Sequence, residues 1–352
     1  MANLPPHQKS LIYNTTTSTL SLTTTSPPPS PTSAAEHTIK VHSTAITNGE
    51  LTWGAFVPWP TLHIPCYDVS GTIHTPAPNT PFTAGQKVYG RIDAAREGAA
   101  REYATLLASE TALVPEGLGM EEAASVPMSA LTAWQALFEH GLLTGDEYTA
   151  TSVPHVNPAT GVVVGGGQAK GKRVLVLGAS GGVGLMAVQF AKLAGASFVA
   201  GTASSANRSL VESRGADEVI DYKTVTMEEW VGGGGGDDEG KEKKKFDLVF
   251  DCAGGKSMLD GWNAVKRDGG VYVSVVPGFR EPEGGKPPGV TSKWFVMVSR
   301  GSELEAISRF VEKGLVKGCV DSVWKMEEYE EAFAKTASGH ARGKVVIKVA
   351  ED

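Results

Sequence analysis

The chain is poor in cysteine and has no long apolar run. Its three cysteines are widely spaced in 352 residues, and no Cys-x-x-Cys pair occurs. We therefore expect neither a disulfide framework nor a cysteine-rich zinc site, and reduced thiols favour a cytoplasmic location. No apolar stretch is long enough to span a bilayer. Because the first residues contain neither an apolar signal core nor an arginine, a secretory or mitochondrial leader is not expected.

Positive charge is also scarce. Lysine and arginine total 32 against 39 aspartates and glutamates, which gives a net charge of −7. This balance argues against nucleic acid or an anionic membrane as the main partner. Lysines cluster only in residues 231–245, after a run of glycines. That composition cannot form a core, so we predict a flexible surface insertion. The neighbouring acids at 237–239 disfavour the alternative, a basic patch for a partner.

Two patterns divide the chain, whose length suits two domains. Residues 10–115 are rich in β-branched residues and turn signals and show no helical period, which predicts a mostly β region. A helix is expected from Met120 to Gly141, and a polar, glycine-rich loop or insertion from 144 to 172. From Arg173 onward strands and helices alternate, and the strands are continuous apolar runs. Such strands are buried on both faces of a parallel sheet, so this part is expected to be α/β.

A glycine-rich turn follows the first of these strands. The segment VLVLGASGGVG, residues 174–184, changes from branched apolar residues to small ones, and an expected helix occupies 182–193. Small residues let a ligand approach the backbone, and the helix start offers N–H groups and the positive end of its dipole. This setting predicts a dinucleotide site, although the spacing departs from G-x-G-x-x-G by one residue. The alternative is a tight strand–helix turn that binds nothing.

The end of the second strand bears on which dinucleotide binds. An NAD-preferring fold carries an acidic residue about twenty residues after the glycine turn. Here the sequence is GTASSANR, residues 201–208, and it contains no carboxylate. The hydroxyls of Ser204 and Ser205 and the guanidinium of Arg208 could instead bind a 2′-phosphate. We therefore predict NADPH as the cofactor, with a solvated surface arginine as the alternative interpretation of Arg208.

Further motifs give the chain a family resemblance over nearly its whole length. They are EEAASVPMSALTAWQAL, RGADEVIDY and SGHARGKVV, which accompany the glycine turn and the GTASSANR segment in a fixed order. Together they resemble the zinc-independent medium-chain dehydrogenases/reductases of the quinone oxidoreductase and enoyl reductase branch, and fungal homologues in particular. The resemblance implies an α/β fold with a GroES-like β domain and a Rossmann domain, a doubly wound parallel sheet that binds NADP. The GroES-like domain would comprise residues 1–125, completed by about 320–352, the Rossmann domain residues 126–319, and the active site would lie in the cleft.

The resemblance also implies positions that bind the cofactor. The glycine turn would hold the pyrophosphate, a threonine upstream would lie near the nicotinamide, and a tyrosine of the third strand near the adenosine phosphate. Two valines at the end of the fifth strand would lie beside the nicotinamide ribose, and a lysine of the terminal segment would approach the cofactor. In chain order these residues are Thr132, Ser180, Gly181, Gly182, Val183, Tyr222, Val275, Val276 and Lys344. For Thr132 and Tyr222 the alternative is ordinary packing.

The zinc ligands of the metal-dependent relatives are missing. Those relatives carry a cysteine near residue 48, a Gly-His-Glu near 66–68 and a cysteine before the Rossmann domain. This chain has AITNGEL at the first place, Cys66, Tyr67 and Asp68 at the second, and no cysteine at the third. One thiol with His63 nearby does not make a three-ligand tetrahedral site, so no metal is expected. Tyr67 is the candidate catalytic residue, as proton donor or positioning group, with a pocket-wall residue as the alternative.

These features predict an enzyme that transfers a hydride from NADPH to an activated C=C bond or a quinone without a metal. The alternatives are a zinc-less alcohol or carbonyl reductase, and a non-catalytic NADPH-binding sensor or interaction protein. Trp53 and Trp59 are expected either to line an apolar substrate pocket or to pack in the core. The expected partner is a small-molecule substrate, and the protein itself is expected to be a monomer or a homodimer.

Overall fold

The structure, a computed structural model, divides the chain into two compact units. One comprises residues 1–131 with 298–352, and the other residues 132–297. The predicted loop at 144–172 lies largely outside the described residues. In the described part of the chain, no helix combines the length and the apolar character needed to cross a membrane. The described residues are 4–141, 143, 153–157, 160, 163–165, 169–233 and 237–350.

The elements are numbered along the chain. The strands are β1 (Gln8–Asn14), β2 (Thr19–Ser26), β3 (Glu36–Ile46), β4 (Leu62–His63), β5 (Asp68–Thr75), β6 (Lys87–Arg91), β7 (Tyr103–Leu107), β8 (Thr111–Leu113), β9 (His155–Val156), β10 (Val163–Val164), β11 (Arg173–Leu177), β12 (Phe198–Ala203), β13 (Glu218–Asp221), β14 (Leu248–Asp251), β15 (Val271–Ser274), β16 (Thr291–Trp294), β17 (Val320–Lys325) and β18 (Lys344–Lys348). The helices are α1 (Met120–Ala124), α2 (Pro127–Trp134), α3 (Gly182–Leu193), α4 (Arg208–Ser213), α5 (Met227–Gly232), α6 (Asp238–Lys244), α7 (Gly255–Gly261), α8 (Gly301–Glu312) and α9 (Tyr329–Ala337).

The first unit is built on a mainly antiparallel sheet. Its seven strands run in the order β17-β18-β3-β5-β6-β8, with β7 also paired to β3. Strand β18 pairs antiparallel with β3, Val346 opposite Ala45, so the terminal strand joins the N-terminal sheet. A smaller sheet has the order β2-β1-β4. Apolar side chains from neighbouring strands, among them Ile39, Val41 and Val69, meet in one buried cluster.

The second unit contains a parallel sheet of six strands in the order β13-β12-β11-β14-β15-β16. Its central strands are buried on both faces, as their continuous apolar sequences predict, and Leu175, Val249 and Tyr272 are fully enclosed in the core. The edge strand β16 is largely exposed. Helix α3 covers Gly182–Leu193, the range that the sequence predicts. The predicted α/β fold class, a β domain joined to a Rossmann-type parallel sheet, is confirmed by this topology.

Helix α8 belongs to the first unit, so the two units divide at 297/298 where the sequence analysis places the division at 319/320. A Cβ at Gly301 would lie 2.4 Å from the Thr111 carbonyl oxygen, which shows that the helix begins in direct contact with β8. Farther along, the Tyr89 hydroxyl lies 2.6 Å from the Ser308 hydroxyl. The other division falls inside α2, at 131/132, where the sequence analysis places it at 125/126.

The prediction of a flexible insertion at 231–245 is wrong for Asp238–Lys244, which form α6. Residues 234–236 of that segment lie outside the described part of the chain. The Asp237 carboxylate caps the helix by accepting the N–H of Gly240 at 2.9 Å. Acidic residues occupy the first turn and lysines the last, an arrangement that the helix dipole favours. The order of the charges along the segment therefore stabilises a helix in which no residue is buried.

The single helix expected between Met120 and Gly141 is broken. Helix α1 ends at Ala124, α2 begins at Pro127, and a π-helix follows at Gln135–His140. Proline has no N–H to donate and is tolerated in the first turn of a helix, so it starts a new helix rather than continuing the old one.

Candidate cofactor and active site

The glycine turn after β11 leaves the start of α3 accessible to a ligand. Gly178 has a φ of +79°, a left-handed conformation that favours glycine. A Cβ at Gly184 would lie 2.3 Å from the Gly178 carbonyl oxygen, so the helix packs directly on the turn. At Gly181 the nearest described atom to such a Cβ is 3.6 Å away, and no described side chain caps the helix there. The first N–H groups of α3 therefore face a space that suits an anion, together with the helix dipole.

The end of β12 is attached to this turn by hydrogen bonds. The Gly178 N–H donates to the Thr202 hydroxyl at 3.0 Å, and the Ser180 hydroxyl accepts from Nδ2 of Asn207 at 3.2 Å. The Oδ1 atom of Asn207 is buried and has no hydrogen-bond partner among the described residues. An unpaired buried acceptor costs free energy, and a hydroxyl of a bound ribose would satisfy it. The sequence analysis missed Asn207, although it lies within the GTASSANR segment.

The residues predicted for the 2′-phosphate lie together after β12. Ser204 is half-buried, and Ser205 and Arg208 are exposed. The Arg208 guanidinium is paired with the Glu212 carboxylate one helical turn later, at 3.3 Å. Tyr222, predicted near the adenosine phosphate, follows β13 and is 53% exposed. The structure thus gathers the four residues at the carboxyl ends of two neighbouring parallel strands.

A carboxylate stands beside this group, which the sequence analysis did not foresee. Strand β12 carries none, but Asp221 ends the adjacent β13 in register with Ala203. Its Oδ2 accepts the Ser205 N–H at 3.0 Å, and its Oδ1 accepts the Lys223 N–H at 2.9 Å. The hydrogen bond from Lys223 is the main cause that lowers the pKa of Asp221, and Ser205 adds to it. The carboxylate is therefore charged at neutral pH.

The carboxyl ends of β14 and β15 are tied together next to the glycine turn. Asp251 accepts the Ser274 hydroxyl at 2.8 Å and the Gly254 N–H at 2.9 Å. Burial is the main cause that raises the pKa of the Asp251 carboxyl group. Val275 and Val276, predicted to end the fifth strand, directly follow β15, which ends at Ser274, and both are half-buried. The sequence analysis missed Asp251 and Ser274 because only the folded sheet shows that they are partners.

Thr132, predicted near the nicotinamide, is a residue of α2 and is buried, with 5% of its surface exposed. This burial is compatible with both roles considered for Thr132, ordinary packing and a contact with the nicotinamide.

In the first unit, Tyr67 is fully buried and hydrogen-bonded. Its hydroxyl lies 2.7 Å from Nε2 of His63. Trp59 is stacked on the His63 ring at 4.2 Å between centroids, and Trp53 is stacked on Tyr67 at 5.4 Å. Burial is the main cause that raises the pKa of Tyr67 above its usual range. The two tryptophans therefore pack against these rings, which agrees with the core alternative.

The residue before Tyr67 has an unusual backbone conformation. Cys66 has a φ of +67°, which non-glycine residues rarely adopt, and its N–H donates to Oε1 of Glu50 at 3.0 Å. A Cβ at Gly98 would lie 2.5 Å from the Cys66 carbonyl oxygen. The conformation is thus held from both sides, and such strained positions are concentrated at functional sites.

Lys344, which the resemblance implies approaches the cofactor, forms a buried ion pair in the first unit. Its ammonium lies 3.0 Å from Oδ2 of Asp68 and 2.9 Å from the Thr47 hydroxyl, and the residue is 7% exposed. Its charge is paired inside the first unit, so the ammonium joins the start of β18 to the start of β5. Burial also raises the pKa of the nearby Glu50 to about 7.

Comparison with known proteins identifies relatives over most of the chain. The family model described as zinc-binding dehydrogenase matches residues 214–347. A probable zinc-binding oxidoreductase, mitochondrial, of Arthroderma benhamiae is 42% identical over 318 residues, which cover 89% of this chain and 88% of that protein. The NAD(P)H oxidoreductase RTN4IP1, mitochondrial, of Danio rerio is 31% identical over 77% of this chain and 68% of that protein. The quinone-oxidoreductase QR1, chloroplastic, of Triphysaria versicolor is 32% identical over 83% of this chain and 82% of that protein.

The zinc that the first relative's name implies does not fit the residues present. In the part of the chain that the structure describes, no three His, Cys, Asp or Glu side chains lie close enough to hold a metal ion. At the places where metal-dependent relatives carry ligands, the Tyr67 hydroxyl is bound to His63 and the Asp68 carboxylate to Lys344. Phenol and ammonium-paired carboxylate are poor zinc ligands, so the chemistry is derived from the remaining residues.

Proposed function

We propose that this chain, which belongs to the medium-chain dehydrogenase/reductase family of oxidoreductases with a nicotinamide cofactor, is an NADPH-dependent reductase of activated C=C bonds or quinones. The observation that carries the proposal is the uncapped start of α3 on the glycine turn, with the buried, unpaired Oδ1 of Asn207 beside it. An anion-binding helix start next to a free acceptor suits a dinucleotide better than an isolated phosphate.

In this proposal the second unit binds the cofactor. Ser180, Gly181, Gly182 and Val183 hold the pyrophosphate at the start of α3, where the helix dipole favours negative charge. When bound, the dihydronicotinamide supplies the hydride. Ser204, Ser205 and Arg208 face the 2′-phosphate, and Tyr222 lies by the adenosine. Thr132, Val275 and Val276 fix the nicotinamide end.

The first unit is proposed to supply the proton that the reduced acceptor needs. Tyr67 is the donor in this scheme, because burial keeps its phenol protonated and His63 fixes its hydroxyl. Tyr67 has no exposed surface in this conformation, so proton donation requires the side chains that cover it to move. His63 acts through Tyr67 and is a positioning residue.

The acceptor class is proposed from the family and from the residues available. The relative from Triphysaria versicolor is named a quinone oxidoreductase. A C=C bond conjugated to a carbonyl group or a quinone accepts hydride when hydrogen-bond donors stabilise the developing oxyanion, and it needs no Lewis acid. Unactivated alcohols and ketones depend more on such an acid, which makes a carbonyl reductase the second candidate.

NADPH oxidation measured against a panel of enones, quinones and aldehydes tests the proposal. We expect turnover with enones or quinones and little with aldehydes. Turnover with aldehydes alone would favour the carbonyl reductase, and tight binding of NADPH without any turnover would favour a non-catalytic sensor. If nicotinamide fluorescence does not change up to millimolar protein or nucleotide, the proposed function is wrong.

A further inference from the structure

Asp221 places a negative charge where the extra phosphate of NADPH is proposed to bind. We infer that Asp221 is a specificity-determining residue, which limits the preference for NADPH and keeps NADH usable as a second cofactor. The inference rests on the proposed function, since it concerns the same nucleotide site.

The geometry brings Asp221 to the proposed phosphate site from a neighbouring strand. Strands β12 and β13 are parallel and in register, with Ala203 opposite Asp221. Ser204 and Ser205 follow Ala203 directly, so they lie beside the end of β13. The Oδ2 atom of Asp221 is 3.0 Å from the Ser205 nitrogen and accepts its N–H. The acidic residue beside the proposed nucleotide site thus belongs to the third strand of the sheet, β13. In an NAD-preferring fold it is expected at the end of the second strand.

The hydrogen bonds show why this position affects NADPH more than NADH. The N–H of Ser205, a donor available at the proposed 2′-phosphate site, already serves the carboxylate of Asp221. A phosphate at this place must compete for it and also lies near a like charge. NADH has hydroxyls there, which can donate to the carboxylate and suffer no such repulsion.

The surrounding charges do not remove this effect. The cations in these segments are Arg208 and Lys223, and the anions are Asp221 and Glu212. Arg208 is shared with Glu212 at 3.3 Å in a half-exposed pair. The local charge is therefore balanced, and loss of the Asp221 charge should shift the balance in favour of the phosphate. At such partly exposed separations, one charge changes binding about five-fold.

Dissociation constants for NADPH and NADH, measured by fluorescence titration of wild type and variants, test the inference. We expect Asp221→Asn to raise the ratio of the NADH constant to the NADPH constant about five-fold. Asp217→Asn is the matched control, because it removes the same charge at the opposite end of β13, where Asp217 pairs with Lys192 at 2.9 Å. The control should leave the ratio unchanged.

Asp221→Ser serves as a second variant. It removes the charge and also the carboxylate that accepts the backbone N–H groups of Ser205 and Lys223. If both variants are folded by circular dichroism and keep the wild-type ratio within two-fold, the inference is overturned. If Asp221→Asn and Asp217→Asn raise the ratio equally, net charge and not this position is responsible, and the inference also falls. A wild-type protein that binds neither nucleotide would instead refute the proposed function, so the two failures are distinguishable.

Discussion

The hydroxyl of Tyr67 and Nε2 of His63 are 2.7 Å apart, and both side chains are almost completely buried. The other ring nitrogen of His63 lies 3.6 Å from the Glu97 carboxylate, which is 36% exposed. A buried phenol is thus hydrogen-bonded to an imidazole whose other nitrogen lies near a carboxylate at the surface. Trp59 stacks on this imidazole and restricts its rotation, which keeps Nε2 in place beside the Tyr67 hydroxyl.

Tyr67→Phe should lower kcat about a hundred-fold, because a positioned general acid contributes at least that much. It should also reduce the free energy of unfolding by about 1–3 kcal/mol, since Nε2 of His63 loses its buried partner. Steady-state kinetics and urea unfolding measure the two effects. Tyr89→Phe is the control, because Tyr89 is equally buried and its hydroxyl is bonded to Ser308. If both variants lose the same activity, Tyr67 has only a structural role.

Arg208→Ala should weaken NADPH about ten-fold and NADH much less, because the guanidinium is proposed to bind only the 2′-phosphate. Arg309→Ala is a closely matched control: Arg309 is also half-exposed and pairs with a glutamate four residues away at 3.3 Å. Titrations with both nucleotides measure the effect. Equal weakening of NADPH and NADH by Arg208→Ala would contradict the phosphate assignment.

Two glycines of the turn should respond differently to a single methyl group. A Cβ at Gly184 would meet backbone atoms at 2.3 Å and 2.6 Å, so Gly184→Ala should lower Tm by several degrees. At Gly181 the corresponding contact is 3.6 Å, so Gly181→Ala should fold normally but weaken the nucleotide, because the methyl group fills the proposed phosphate site. Thermal unfolding and nucleotide titration separate the two results.

The control for these substitutions is Gly232→Ala in α5, where a Cβ meets no described atom within 4 Å. It should leave nucleotide affinity unchanged and should not lower Tm, because alanine is favoured over glycine in a helix. A Gly181→Ala protein that binds NADPH as tightly as wild type would place the pyrophosphate elsewhere.

Local sequence signals predict much of the second unit, because apolar strands and a glycine turn are local features. The bounds of α3 follow from Gly182 and the apolar run after it. The Ser205–Asp221 hydrogen bond could not be predicted, since it joins residues sixteen positions apart through the pairing of two strands. The Tyr67–His63 hydrogen bond joins residues only four positions apart, but which side chains meet there depends on the backbone path between β4 and β5. Composition alone also failed for α6, where capping by Asp237 and the order of charges decide the structure.

Glu50 should make stability depend on pH. It is 1% exposed, and burial raises its pKa to about 7, above the value of 4.5 expected in the unfolded chain. The folded protein therefore binds more protons than the unfolded chain between these two values, so this group lowers stability as pH rises from about 4.5 to about 7. The full effect is on the order of 3 kcal/mol if Glu50 acts alone. The value of about 7 already includes the opposing contribution of Lys344.

Glu50→Gln removes the titration while keeping an acceptor for the N–H groups of Thr47 and Cys66. We therefore compare the difference in free energy of unfolding, variant minus wild type, across pH. This difference should be smallest at pH 4.5 and should increase towards pH 7.5. Urea unfolding at several pH values measures this difference. Glu229→Gln is the control, because hydrogen bonds from Thr226 lower the pKa of the exposed Glu229 and its contribution changes in the opposite direction. Parallel stability curves for wild type and Glu50→Gln would show that Glu50 is ionised throughout this range, as a carboxylate held by Lys344 would be.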